Sequence, residues 1–331
     1  MIKKLISSAL FGFILFSVFS NPALAAENKK KRSKTGKTAI ILASFGTTVP
    51  SAVESIINIQ QKVQAAFPEV PVRVTFTSNI IRKVWKKRQA EAQKWLAQGI
   101  PPEILYVNNI ISTFGDLREE GYRDIVVQPT HMFFMEQSHD LAQYVEAMRS
   151  IQTIKEKWRP FNKIALGRPA LGTIGNQYGY QKDLKNALKT LAPDVALARK
   201  NKAILVYMAH GNEHWSVGIY GEAAKMMREI YPDVITYLGA VEGYPGIEDV
   251  SRYLKQAGSN KIILKPFMIV AGDHAVNDMA GDDDDSWKTI LTRQGFNVIP
   301  VLKGLGSNDE FAQLFVAHIE DAARDMGIKL R

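Results

Sequence analysis

The chain has 331 residues, 46% of them hydrophobic and 23% charged, with no cysteine. That length supports one large core or two ordinary ones, which excludes a disordered tail or a small disulfide-stapled module. Without thiols, cysteine nucleophiles, cysteinyl zinc, iron–sulfur clusters and disulfides are excluded as well.

In chain order, residues 1–25 carry the parts of a secretory signal: Lys3 and Lys4, an apolar run, then Ala23-Leu24-Ala25. Pro22 and the small residues at the cleavage site argue for removal rather than for a membrane anchor. A periplasmic protein with no stable membrane insertion after cleavage is therefore expected, and the lack of cysteine fits an oxidising compartment. Residues 26–37 form a basic linker. Of the formal +9, Lys3 and Lys4 carry two charges and the linker a net five, which leaves +2 for residues 38–331. No nucleic-acid partner is expected of so neutral a body.

From residue 38 onward, short apolar runs alternate with amphipathic ones, the pattern of an α/β fold with parallel sheets. Strands are predicted at 38–43, 72–76, 124–128 and 163–166, and again at 203–208, 234–238, 261–265 and 297–301. A helix is predicted over 104–117, where Ile104, Val107, Ile111, Phe114 and Leu117 share one face. The two sets resemble each other. Gly46 and Gly211 each follow a first strand, 165 residues apart. Phe67-Pro68-Glu69-Val70 and Tyr231-Pro232-Asp233-Val234 repeat at 164. Gln128-Pro129 parallels Lys265-Pro266, and Ala170-Leu171-Gly172 parallels Gly304-Leu305-Gly306. Two similar doubly wound domains, 38–195 and 196–331, facing a central cleft are the expected architecture, with a single large sheet as the alternative.

In open α/β sheets, ligands gather beyond the carboxyl ends of the strands. His210, Glu242 and His274 follow three successive strands of the second half. Two imidazoles and one carboxylate suit a borderline divalent ion and leave coordination positions open. Of the remaining histidines, His318 reads as structural and His214 as a neighbour or substrate contact. Asp282, Asp283, Asp284 and Asp285 read as the acidic start of a helix or as a polar rim to the cleft. No dinucleotide, P-loop, nucleophile-elbow, zinc-helix or EF-hand pattern occurs.

The runs Ala43-Ser44-Phe45-Gly46-Thr47, Thr77-Ser78-Asn79-Ile80-Ile81-Arg82-Lys83, Gln128-Pro129-Thr130-His131 and Gly239-Ala240-Val241-Glu242-Gly243-Tyr244-Pro245 resemble those of the anaerobic-type sirohydrochlorin cobaltochelatases, as does the stretch 270–288. The resemblance implies the class II chelatase fold and ATP-independent insertion of Co²⁺, with Fe²⁺ or Ni²⁺ as options, into sirohydrochlorin or a related tetrapyrrole on the cobalamin route. It implies that His210, Glu242 and His274 hold the metal and that His210 also takes protons from the ring. His131 matches a family histidine near the cleft, with a haem at a subunit interface as a further option. Ser44, Phe45, Gly46 and Thr47, in a turn expected to open a helix, offer backbone N–H groups to a substrate carboxylate, and Arg82 and Lys83 are candidates for the same task, with solvated helix-surface charges as the favoured alternative. One stretch departs from the family pattern: Met135-Glu136-Gln137-Ser138 stands where a glycine, an acid, Glu and Tyr are usual. A periplasmic carrier of haem, tetrapyrrole or metal, without catalysis, is the competing function. Assembly into a homo-oligomer is left open.

Overall fold

The computed structural model describes residues 36–175, 177–212 and 214–331. The expected signal peptide, and the linker up to residue 35, lie outside the described residues. Gly36–Arg331 forms one compact unit. Its strands are β1 (Lys37–Ser44), β2 (Val72–Phe76), β3 (Tyr122–Pro129), β4 (Lys163–Leu166), β5 (Ile204–Gly211), β6 (Thr236–Glu242), β7 (Lys261–Pro266) and β8 (Asn297–Pro300). Helices α1 (Val53–Ala66), α2 (Asn79–Arg88), α3 (Ala92–Ala97), α4 (Pro102–Leu105), α5 (Ile110–Glu119) and α6 (Glu136–Ser150) accompany the first four strands. With the second four go α7 (Tyr180–Lys189), α8 (Ala192–Asn201), α9 (Gly218–Ile230), α10 (Ile247–Leu254), α11 (Trp287–Arg293) and α12 (Asp309–Asp325).

The strands form two parallel four-stranded sheets of identical topology, β2-β1-β3-β4 and β6-β5-β7-β8. The central strands are apolar without alternation because helices cover both faces. On β1, Ile40 and Leu42 enter one core with Ile59 and Val63 of α1, while Ala39, Ile41 and Ala43 meet Phe114 of α5 and Leu141 of α6 on the other face. The repeats seen in the sequence are structural equivalents. Phe67 and Tyr231 end α1 and α9 with φ/ψ of −129/67 and −129/66, and their N–H groups donate to Val63 and Met227 carbonyls at 3.0 and 2.8 Å. The N–H groups of Leu171 and Leu305 donate to Met132 and Met268 carbonyls, each at 2.8 Å.

One expectation is corrected. The helix predicted over 104–117 is broken: Asn109 caps a fresh start at α5, accepting from Ser112 N–H, and the Asn108 carbonyl is taken by Phe76 N–H and the Thr75 hydroxyl. Pairing the edge of β2 won over helical continuity, which leaves Ile111 half-exposed. The division after residue 195 falls inside α8, which packs beneath β5 and β7. The C-terminal α12 meanwhile returns to β3, β4 and α1, so the halves interlock through exchanged helices. His318 of α12 is buried, as expected of a structural histidine, and its Nδ1–H donates to the Arg168 carbonyl at 3.1 Å. Arg168 in turn bridges Asp183 of α7 and Asp321 of α12.

Gly46 and Gly211 occupy equivalent turns with φ of +95° and +88°. At Gly211 a Cβ would lie 1.6 Å from the Glu242 carbonyl oxygen, whereas at Gly99, φ +84°, it would meet nothing within 4 Å. Gly99→Ala is therefore expected to cost about 1–2 kcal/mol, the penalty for a left-handed L-residue. Gly211→Ala adds a backbone collision and should lower the urea midpoint clearly further. Equal midpoints for the two variants would contradict this packing.

Candidate metal centre

The carboxyl ends of β1, β3, β5 and β7 open onto one cleft of about 570 Å³. Phe45, Phe133, Tyr220, Phe267 and Val270 give it mainly apolar walls, and its described lining residues include no lysine or arginine. Such a cavity accepts a flat, largely apolar body and leaves charged substituents to the rim. Burial pushes the Tyr220 phenol up to about 12 against the opposing pull of a Gly211 backbone hydrogen bond, so this wall residue stays uncharged.

β5 runs three residues beyond its predicted end, which puts His210 on the strand itself. Register pairs Gly211 with Glu242, so both strand ends reach the same level. His274 arrives from the loop after β7, just before a π-helical turn, Ala275–Met279. The His210 and His274 rings lie edge to face, centroids 4.5 Å apart and planes at 87°. His210 Nδ1 lies 3.2 Å from the Gly211 carbonyl and 3.7 Å from Glu242 Oε2. His274 Nδ1 is hydrogen-bonded to Asp278 Oδ2. Each ring thus has its Nδ1 edge against acceptors, and among the described residues its Nε2 has no partner. Glu242 stands beside the Nδ1 edge of His210. Among the described residues no ready-made cage of three such donors occurs.

The opposite wall comes from the first sheet. Ser44, Phe45, Gly46 and Thr47 all line the cleft. Ser44 Oγ accepts from Gly46 N–H at 3.3 Å and Thr47 Oγ1 from Val49 N–H at 3.1 Å, while the Thr47 carbonyl accepts from the Trp85 indole. The turn does not open a helix, because α1 begins only at Val53 after a 3₁₀ turn, Pro50–Ala52. Arg82 is committed elsewhere. Its guanidinium donates to the Phe76 and Thr77 carbonyls and to Asn79, so it secures the β2–α2 turn rather than reaching for an anion.

His131 lies in the cleft wall, 8% exposed. Its Nδ1 pairs with Ser138 Oγ at 2.8 Å, and Nε2 is buried without a partner. The Ser138 hydroxyl donates to the Phe133 carbonyl, which makes its oxygen the acceptor for Nδ1–H. A haem at a subunit interface would need an outward-facing imidazole, and His131 does not present one. Burial pushes His131 from its ordinary 6.5 down to about 4. The native ring therefore stays neutral while the unfolded chain protonates, so stability should fall as pH drops from 6.5 toward 4 and level off below. His131→Phe is expected to flatten the urea midpoint over that window; an unchanged slope would contradict it.

Of the other sequence candidates, His214 sits on an exposed loop outside the cleft lining, its backbone N–H bonded to Asn212 Oδ1. Asp282 and Asp284 face solvent and pair with Lys288 and Arg293, so they form no inner rim. The helix they precede is capped by Ser286, whose side chain accepts from Thr289 N–H. Tyr220 and Asp278 were not singled out in the sequence, and Ser138 was noted there only as part of the departing stretch Met135–Ser138. Only the i, i+4 spacing of His274 and Asp278 carried a signal.

Residues 38–324 match the cobalt chelatase (CbiK) family. The sirohydrochlorin cobaltochelatase of Salmonella typhimurium (strain LT2) is 30% identical over 288 residues, spanning 86% of this chain and 96% of that protein. The sirohydrochlorin cobaltochelatase CbiKC of Nitratidesulfovibrio vulgaris (strain Hildenborough) is 29% identical over 286 residues, spanning 86% and 90%. Among solved structures, the sirohydrochlorin chelatase SirB from Bacillus subtilis subspecies spizizenii in complex with cobalt shares the fold. Its TM-score is 0.50 at 13% identity, over 87% of this chain and 96% of that one. With most of its length matched, and two parallel sheets opening on a cleft that holds paired imidazoles, the chain belongs to the cobalt chelatase (CbiK) family.

Proposed function

We propose that this chain is a sirohydrochlorin cobaltochelatase that inserts Co²⁺ without ATP on the route to cobalamin. Relatives of that name covering nearly the whole body support the activity, and one observation carries the site: two imidazoles 4.5 Å apart at the cleft, each with its Nε2 unpartnered among the described residues. His210 and His274 hold the incoming ion through Nε2, and Glu242 adds its carboxylate from beside His210. Insertion must strip water from the ion and remove two pyrrole N–H protons from the ring. As the ion passes to the ring nitrogens, the vacated His210 Nε2 accepts a proton, and Glu242, 3.7 Å from Nδ1, stabilises the imidazolium that forms. The exposed side of His210 returns that proton to water, ready for the second. The apolar walls take the faces of the macrocycle. Ser44, Phe45, Gly46, Thr47 and His131 line the far side against its edge, and its carboxylates turn to the rim.

Residues 1–25 support export to the periplasm. The absorbance change on mixing purified protein with sirohydrochlorin and Co²⁺ tests the reading, with Fe²⁺ and Ni²⁺ as competitors. Acceleration over the uncatalysed rate is expected. Tight capture of the ring without acceleration would instead mark a carrier.

A further inference from the structure

We propose that Asp278 is a positioning residue that fixes the His274 tautomer, so that Nε2 always presents its lone pair to the metal. The inference rests on the site reading above and concerns a residue that reading does not use. A carboxylate accepts hydrogen bonds and donates none, so the ring nitrogen facing Asp278 Oδ2 must carry the proton. A neutral imidazole has only one N–H. With the proton held at Nδ1, Nε2 is left bare on the ring that meets His210 edge to face. Without Asp278 the neutral ring is free to carry its proton on either nitrogen, and an Nε2–H form cannot bind an ion.

The backbone holds the pair in place. His274 and Asp278 flank and occupy the wide turn Ala275–Met279 at i and i+4, on one face. The turn is anchored at its start by Ala275 and Val276 N–H groups, which donate to the Gly272 carbonyl at 3.1 and 3.0 Å. At its end Gly281 N–H donates to the Asn277 carbonyl at 2.9 Å, an approach that a Cβ on Gly281 would block at 2.3 Å. Ser286 Oγ then donates to the Gly281 carbonyl at 2.7 Å. A second i, i+4 pair, Asn277 Nδ2 to Asp273 Oδ1 at 3.0 Å, runs alongside. Asp278 itself is 44% exposed, so its loss removes an orienting contact and little packing.

The test compares the wild type with Asp278→Ala, Asp278→Asn and His274→Ala at about pH 8, above the ordinary range of imidazole titration. Long-range ¹H–¹⁵N NMR of the histidine rings reads the tautomer directly, Co²⁺ titration reads affinity, and thermal unfolding reports any general loss of structure. The wild type should show His274 as Nδ1–H. Asp278→Ala should release Nε2–H and weaken Co²⁺ binding about 10–100-fold, with its unfolding midpoint little changed. Asp278→Asn should fall between, because the amide oxygen still accepts. An unaltered His274 tautomer in Asp278→Ala, with Co²⁺ affinity within about twofold of wild type, would overturn the proposal. His274→Ala separates the two readings. If it abolishes Co²⁺ binding while Asp278→Ala does not, only the positioning role fails. If His274→Ala binds Co²⁺ normally, the site itself is misassigned.

Discussion

His210→Ala is expected to slow Co²⁺ insertion into sirohydrochlorin by about 10²–10⁴-fold, the range of a lost general base that also surrenders a metal ligand. His274→Ala should lose at least about tenfold, since it removes a proposed ligand and breaks its pairing with Asp278 but leaves the proposed proton acceptor. The asymmetry follows from the surroundings. Glu242 stands 3.7 Å from His210 Nδ1, where it stabilises a protonated ring, while the opposite edge of His274 is bound to Asp278. Initial rates from the absorbance of the metallated ring, corrected for spontaneous insertion, give the comparison. Near-normal rates in both variants would remove this pair from the chemistry.

The largest expected loss of stability lies away from the cleft, at Asp194. This side chain of α8 is buried between Tyr207 of β5 and Lys265 of β7. It accepts from the Tyr207 hydroxyl at 2.7 Å through one oxygen and pairs with the Lys265 ammonium through the other. Burial and the adjacent carboxylate hold the Tyr207 phenol well above its ordinary pKa, so it remains a donor. Asp194→Ala strands a lysine charge beneath the second sheet and should cost about 3–5 kcal/mol in urea unfolding. Replacing Lys265 by Met together with Asp194→Asn removes both charges and should cost far less. The equivalent position of the first sheet supports this contrast: Gln128 is neutral there, its amide donating to the Pro129 and Arg168 carbonyls. A loss below about 1 kcal/mol in Asp194→Ala would show that the charge is hydrated or relaxed after truncation.

All eight strands were legible in the sequence, the central ones because strands covered on both faces read as unbroken apolar runs. The internal repeat was legible too, since Phe67 and Tyr231, or Gly46 and Gly211, perform the same backbone task in each half. The interlocking of the halves was not. Nothing in residues 192–201 says that this helix lies under β5, or in 309–325 that the chain's end crosses back to β3 and β4, because amphipathic stripes do not name their partners. At the site, His210, Glu242 and His274 stood out as rare polar residues after strands, which topology alone brings to one edge. Their orienting contacts were hidden. Ser138 matters through one hydrogen bond to His131, and Asp278 lies in an acidic stretch whose exposed members Asp282 and Asp284 serve only surface ion pairs. The task of Arg82 was hidden for a related reason: a cation near the cleft looks free until the carbonyls of its own turn are seen to occupy it.

The most direct measurement is anomalous diffraction at the cobalt edge from crystals of the protein equilibrated with Co²⁺. One dominant peak is expected about 2.0–2.1 Å from Nε2 of both His210 and His274, the distance of a first-row ion on imidazole nitrogen. A peak bound to neither ring, or to the Nδ1 edges facing Glu242 and Asp278, would contradict it.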